Sequence, residues 1–418
     1  MKSVKFIIAV AAVPVSFLFA AEMAVTFAGA DAAGKTVRVR SAAGVVHSLA
    51  ISDSAVFADQ DGTPLANGLR SSKLTEGAPL LVSVERNDRG AVLHALRIRN
   101  PDAPAQQRSA PRNRLAATLE PKPSTGFIPL CDMTAEDRYK GEDGGLYGGG
   151  SNVPPPEFLE KAELAARRIR PLDKNGAPSD SGKIALVSIS MSNATMEFSR
   201  FKQIADADRR KSPFVEIVDG AQGGQTMAAW SSPAAQPWNT LMQRLEAAQV
   251  STAQVQVVWI KLANAKPSGE LQEHGRKLYQ DTQAVLQNAR ARFPNLQIAI
   301  LDSRIYGGWA KTELNPEPYA YEGAFVVRWL IRDQMNGKPA LAFDTPQKNG
   351  IAPLLLWGPY FWADGLQPRK TDGLIWKQSD VRDDDGTHPG PDGRQKAAEL
   401  LLDYFTGNPL AKTWFAKP

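Results

Sequence analysis

The stretch Asp383-Asp384-Asp385-Gly386-Thr387-His388-Pro389 sets Asp385 three positions before His388 in what reads as one loop. At that spacing the carboxylate can hydrogen-bond the imidazole, fix its tautomer and stabilise the imidazolium formed during proton transfer. Far upstream, Ser192 ends the apolar run Ile184–Met191 and opens a helix-like stretch. A serine at a strand-to-helix turn has an exposed hydroxyl and an amide at the positive end of a helix. Nucleophile, base and orienting carboxylate are the parts that acyl transfer needs. Each also has a bland reading. A lone serine there is more often a helix cap, a lone histidine is usually structural, and the aspartate run reads as a solvated turn or part of a calcium loop, though without the liganding pattern. Only the set points to chemistry. Ser190 stands where the first glycine of a Gly-x-Ser-x-Gly elbow would be, which disfavours an ordinary α/β-hydrolase.

The elements that must position these residues are legible from residue 183 on. Apolar runs lie at Ile184–Met191, Phe214–Val218, Val255–Leu262, Leu296–Leu301 and Pro353–Trp357. Helical stretches lie at Glu270–Arg292, Tyr319–Asn336 and Gln395–Phe405, and another runs from about Pro156 to Arg170 ahead of the first strand. Continuous apolar strands alternating with helices predict an α/β fold, a parallel sheet covered on both faces. Ligands of such sheets bind at the carboxyl ends of the strands, near a switch in strand order. Function is therefore expected in the loops that follow the strands.

In those loops the chain resembles the SGNH (GDSL-like) hydrolases over residues 183–405. Ser192 matches the family's block-one serine. In Asp219-Gly220-Ala221-Gln222-Gly223-Gly224-Gln225-Thr226, Gly224 best matches the block-two glycine, with Gly223 as the neighbouring alternative. Asn264 matches the block-three asparagine, and Asp385-Gly386-Thr387-His388-Pro389 matches block five closely. The resemblance implies a three-layer α/β/α flavodoxin-like domain and a two-step acyl transfer with no cofactor and no metal. Ser192 would attack an ester carbonyl, His388 would take its proton and Asp385 would orient the ring. The amides of Ser192 and Gly224 and the side chain of Asn264 would hold the oxyanion. Three positions depart from the family. Ser190-Met191 replaces the usual Gly-Asp, which removes a carboxylate beside the nucleophile, and Ala263 replaces the glycine before Asn264.

Exported members of the family often remove O-acetyl groups from carbohydrates, so a glycan ester is the expected substrate. Arg304, Tyr306, Trp309 and Trp357 follow the fourth and fifth strands and are candidates to bind it. Aromatics there can be sugar platforms or can simply pack the loops; Arg304 can pair with Glu317 or bind an acidic substrate. The same catalytic set would serve an O-acyltransferase with a sugar hydroxyl in place of water. A non-catalytic glycan-binding surface protein on the same scaffold is a third reading, against which the complete residue set argues.

The remainder of the chain frames this domain. Lys2 and Lys5 precede an apolar run to Phe19, and Ala28-Gly29-Ala30 follows, so residues 1–30 read as a secretory signal, with cleavage near Ala20 or Ala21 the alternative. Glu22 cuts the run short of a membrane span. The chain is thus expected to be exported, periplasmic or extracellular, with no integral membrane segment after processing. Residues 31–100 alternate in polarity, with Asn87-Asp88-Arg89-Gly90 as a hairpin signal, and predict a small all-β sheet or barrel. His47 and His94 in it read as strand-face residues. Residues 101–124 are a proline-rich linker, and 125–418 the catalytic domain. The glycine-rich stretch 140–150 lacks a preceding strand and a Gly-Lys-Ser/Thr ending, so phosphate binding is weakly indicated, and a flexible loop near a cleft is the alternative. A net charge of +5 from 49 basic and 44 acidic residues, with no basic stripe, does not support nucleic acid as a partner. Cys131 is the only cysteine, which rules out an internal disulfide.

Overall fold

The computed structural model describes residues 21–31, 35–41, 44–58, 65, 68–87, 90–98, 119–343 and 350–417. They form two compact units, one within residues 1–114 and one from 115 on.

The first unit is a closed five-stranded barrel. Its strands are β1 (Ala21–Ala30), β2 (Thr36–Arg40), β3 (Val46–Ala58), β4 (Pro79–Asn87) and β5 (Gly90–Ile98), in the order β1-β2-β3-β5-β4. Only β3 and β5 run parallel; the other neighbours are antiparallel. Alternate residues point inward, among them Val37, Val39, Leu80, Val82, Leu93 and Leu96, all fully buried. Closure leaves no edge to pair with another chain. Gly29 sits at a bulge with φ near 120°, where a β-carbon would lie 2.8 Å from the Arg38 guanidinium. His47 lies exposed on β3, and His94 is on β5. Residues 1–20 of the expected leader lie outside the described residues, but 21–30 are β1 itself. Cleavage after Ala30 would remove a barrel strand, whereas cleavage near Ala20 spares it.

The second unit is the predicted three-layer domain. In chain order it contains α1 (Pro156–Arg168), β6 (Ile184–Ile189), α2 (Ser192–Ala207), β7 (Val215–Val218), α3 (Met227–Trp230), α4 (Gln236–Ala247), β8 (Val255–Lys261), α5 (Leu271–Arg292), β9 (Ile298–Asp302), α6 (Tyr319–Met335), β10 (Leu354–Trp357), α7 (Pro391–Gly407) and α8 (Pro409–Phe415). The five strands form a parallel sheet in the order β10-β9-β8-β6-β7. Every residue of β6, β8, β9 and β10 is buried, which is why these strands read as unbroken apolar runs. Helices α2 and α7 pack on each other, as do α5 and α6. Right-handed crossovers place these two pairs on opposite faces. The chain leaves β6 for β7 on one side and passes from β8 to β9 on the other, so strand order switches between β6 and β8. A crevice opens at their carboxyl ends. Among the described residues no helix is long and apolar enough to cross a membrane.

Two segments differ from expectation. Most of the linker lies outside the described residues, but its end is stitched to the second unit. Lys122 N–H donates to Gly308 O at 2.8 Å and Leu366 N–H to Pro123 O at 2.8 Å. Asp364 accepts from the hydroxyls of Ser124 and Thr125 and from the amides of Thr125 and Gly126. A chain beginning at residue 119 is therefore expected to fold and act on a small aryl ester, whereas one beginning at 127 should lose thermal stability. Equal melting temperatures for the two would show these bonds to be dispensable. The glycine-rich stretch, in turn, is anchored by the buried Arg328 of α6, which donates to Asp143 O at 2.6 Å, Gly145 O at 3.2 Å and Glu142 Oε2 at 2.7 Å. Its carbonyls face a cation of the protein's own, an arrangement suited to packing rather than to cradling phosphate.

Candidate active site

Three loops meet at the crevice. Ile189 of β6 pairs with Ile260 of β8, so Ser192 and Asn264 emerge from adjacent strand ends. The loop before α7 brings His388 over them. Ser192 Oγ lies 2.7 Å from His388 Nε2, and His388 Nδ1 lies 2.6 Å from Asp385 Oδ2. The second oxygen of Asp385 accepts the amides of Thr387 at 2.7 Å and His388 at 2.8 Å. The structure thus joins the three residues in one relay. With Nδ1–H donating to the carboxylate, Nε2 is left as the acceptor for the serine proton. Ser190 is fully buried and bonded to Lys261 O, out of reach of a substrate.

Burial works to raise the pKa of Asp385, but hydrogen bonds from the His388 ring and the two amides outweigh it and hold it down at about 2. A carboxyl depressed in this way favours folding above its ordinary range, and that contribution is lost only as pH falls through about 2. The carboxylate therefore stays ionised across the working range.

The loop has one backbone requirement that fixes its sequence. Gly386 lies at φ 63°, in the left-handed region, and a β-carbon on it would come 1.8 Å from Trp309 O. Neither the strain nor the clash can be relieved without moving Asp385 and His388. Gly386→Ala is expected to lower kcat/KM on the order of 10²-fold, the usual cost of an ångström-scale misplacement. A variant with unchanged kcat/KM would show the loop to be more tolerant than its contacts imply. The other aspartates of the run are spent elsewhere: Asp384 pairs with Arg382, and the Asp383 carbonyl accepts from Lys311.

The other oxyanion candidates lie in the loops that follow β7 and β8. The loop after β7 is tied to both flanking strands, with Gln222 N–H donating to Ser190 O at 3.0 Å and Met227 N–H to Ala263 O at 3.1 Å. Gly224 between them is exposed at φ 74°, which favours glycine there. Among the described residues the amides of Ser192, Gly223 and Gly224 donate to no carbonyl or side chain. Asn264 has its amide orientation set twice: Oδ1 accepts Ala228 N–H at 2.9 Å, and Nδ2 donates to Asp281 Oδ2 at 2.7 Å. One N–H of the side chain remains to donate.

The proposed sugar platforms are inside the protein. Arg304, Tyr306, Trp309 and Trp357 are 3%, 1%, 5% and 4% exposed. Each polar end meets a carbonyl: Tyr306 Oη donates to Lys122 O at 2.7 Å, Trp309 Nε1 to Trp376 O at 2.9 Å and Trp357 Nε1 to Leu146 O at 2.7 Å. Arg304 Nη2 donates to Thr387 O at 3.1 Å. These side chains pack and brace the loops, and Trp357 also lines a cavity of about 650 Å³ together with Tyr147 and Tyr404. Three polar residues not singled out from the sequence join the site. Asn193 Nδ2 donates to Thr387 O at 2.8 Å, and Asp281 fixes Asn264. Asp219 accepts from Ser188, Thr195 and Ser199 and so ties the start of α2 to the loop after β7. Asn193 could have been suspected from its place beside Ser192; Asp281, in the middle of a long helix, gave no signal.

No protein-family profile matches the chain, and no curated protein matches it. Among solved structures, a candidate acylhydrolase from Bacteroides fragilis is similar at 12% identity and a TM-score of 0.33, over 63% of this chain and 100% of that one. The periplasmic domain of a lipopolysaccharide acetyltransferase from Salmonella Paratyphi A is similar at 12% identity and 0.30, over 60% and 96%. A salicylyl-acyltransferase from a tetracycline biosynthetic pathway is similar at 11% identity and 0.30, over 56% and 58%. Likenesses this distant carry neither activity nor substrate across, and the functional reading rests on the geometry of the site itself.

Proposed function

We propose that the chain is a serine esterase that cleaves carboxylic esters through an acyl-enzyme. The observation that carries this reading is the continuous relay Ser192–His388–Asp385, with bonds of 2.7 and 2.6 Å. Ser192 Oγ attacks the ester carbonyl as its proton passes to His388 Nε2, and the negative oxygen falls among the free amides of Ser192 and Gly224 and the remaining N–H of Asn264. His388 returns the proton to the departing alcohol. A water molecule, deprotonated by the same nitrogen, then releases the acid and restores the serine. The chemistry is that of the SGNH-type hydrolases the sequence resembles.

The substrate is proposed only as a carboxylic ester. A glycan O-acetyl group stays within that class, but Arg304, Tyr306, Trp309 and Trp357 lend it no support. The basic and apolar amino-terminal residues support export, which the location of a tagged full-length chain would check. The central experiment treats the protein with a serine-reactive phosphonate and maps the labelled residue, alongside assays on aryl acetates and acetylated glycans. Labelling at Ser192 with acetate release is expected. Folded protein that neither labels nor hydrolyses any ester would overturn the reading. Product analysis with an added acceptor sugar shows whether water or a hydroxyl takes the acyl group.

A further inference from the structure

Arg304 at the end of β9 is a buried cation without a carboxylate of its own. Lys261 occupies both oxygens of Glu197, at 2.6 and 2.5 Å. Glu317 is bonded by Gly307 N–H at 2.7 Å, Trp362 Nε1 at 2.8 Å and Tyr321 N–H at 2.9 Å. What Arg304 grips is the catalytic loop, through Thr387 O, the same carbonyl that Asn193 grips from beside the nucleophile. Its Nε–H has no protein partner. Asn315 is in a matching position: its Nδ2 donates to the main-chain oxygen of Asn264 at 3.0 Å, and its buried Oδ1 has no protein partner either.

Both side chains line one small cavity, of about 10 Å³, whose wall also includes Leu262, Ala263 and Asn264. That is room for about one water, and a water needs at least two polar partners to stay. A donor and an acceptor, both buried and both otherwise unmet, are what it would find. Leaving two such groups unsatisfied would cost stability that one water recovers.

We propose that Arg304 and Asn315 are positioning residues that clasp the acid–base loop to the oxyanion asparagine through one buried water. The water accepts from Arg304 Nε–H and donates to Asn315 Oδ1. Thr387 O, Arg304, the water, Asn315 and Asn264 O then form one line of hydrogen bonds beneath the crevice. The inference deepens the esterase reading and rests on it for its catalytic meaning.

The clasp also places a positive charge under the relay. The ionisable groups around Arg304 are Glu197 on α2, Lys261 on β8, Asp302 on β9, Glu317 ahead of α6, Asp385 and His388 in the loop and Arg394 on α7, with His274 and Glu322 meeting on α5 and α6. Glu197 and Lys261 cancel, as each is the other's partner. Burial pushes Asp302 and Glu317 up to about 7 each, which weakens them as counter-charges near neutrality. The charge of Arg304 is thus felt by Asp385, the carboxylate of the relay.

The test uses the full chain. A crystal structure that resolves waters is expected to show one within hydrogen-bond reach of both Arg304 Nε and Asn315 Oδ1. A dry cavity, or a direct bond between the two side chains, overturns the clasp whether or not the protein proves to be an esterase. In aryl-acetate kinetics, Arg304→Met should lower kcat by about ten- to a hundredfold with little change in KM. Arg304→Lys keeps the charge and loses the two-sided grip, so it should lose kcat in the same way, again with little change in KM. A kcat equal to that of the wild type in both variants would leave Arg304 with packing alone, and would overturn the positioning role. Should Arg304→Met fail to fold, Asn315→Leu, which removes the far end of the clasp, should show the same fall in kcat, and an unchanged kcat would overturn the proposal. Absence of phosphonate labelling at Ser192 in the wild type would instead strike the esterase reading.

Discussion

Ser192→Ala is expected to abolish covalent labelling and to lower turnover of an aryl acetate by on the order of 10⁴–10⁶, with His388→Ala costing about the same. The two residues act as a unit, since the hydroxyl is a nucleophile only while Nε2 can take its proton across 2.7 Å. The double variant should therefore be scarcely worse than either single one. Asp385→Asn should fall short of these losses, because it leaves a base in place and spoils the tautomer and orientation that the carboxylate imposes. Turnover of one aryl acetate would measure all three on one scale. Losses that multiply in the double variant would mean that Ser192 and His388 serve separate steps. Wild-type turnover in Ser192→Ala would end the assignment.

Asn264→Ala should cost less, on the order of 10²–10³ in kcat, because it removes one of three oxyanion donors and leaves nucleophile and base untouched. Slow labelling at Ser192 should persist. Asn264→Asp makes a sharper control: it keeps the size and replaces a donor with a carboxylate facing Asp281, so it should be worse than alanine. Like charges brought together in a crevice repel each other and the developing oxyanion alike. If Asn264→Ala retains full kcat, the oxyanion is held by main-chain amides only, and the orientation that Ala228 and Asp281 impose on Asn264 serves folding.

The sequence was most legible where periodicity and chemistry coincide. Four of the five strands of the α/β domain are buried along their whole length because helices cover both faces, and so each stands out against its flanks. Asp385 and His388 could be paired because they share one loop. The barrel was half legible: β2, β4 and β5 alternate visibly. Strand β1, by contrast, is hidden in a stretch whose small apolar residues also suit a leader's end. The sequence left open whether Arg304 and the aromatics pack the loops or meet a substrate, because burial is a property of the whole fold. A loop residue next to a strand end gives no sign of whether later chain will close over it, and Pro123, Trp376 and the residue 360–376 loop do so here. Asp281 and Asn315 escaped notice because only the folded chain brings them to Asn264.

The relay joins residues 196 positions apart, at the first strand of the α/β domain and just before its last long helix. Loop closure over that distance is among the late and costly steps of folding, since the intervening sheet must form before the ends can meet. An amino-terminal fragment, or a nascent chain that ends before His388, has the nucleophile without its base and is expected to be inert towards esters. Hydrolysis thus becomes a reporter of finished folding: in a refolding experiment, activity should return with the slowest phase, after helical ellipticity has recovered. On the proposed function, the chain would handle no ester until the loop that carries His388 has been made and docked.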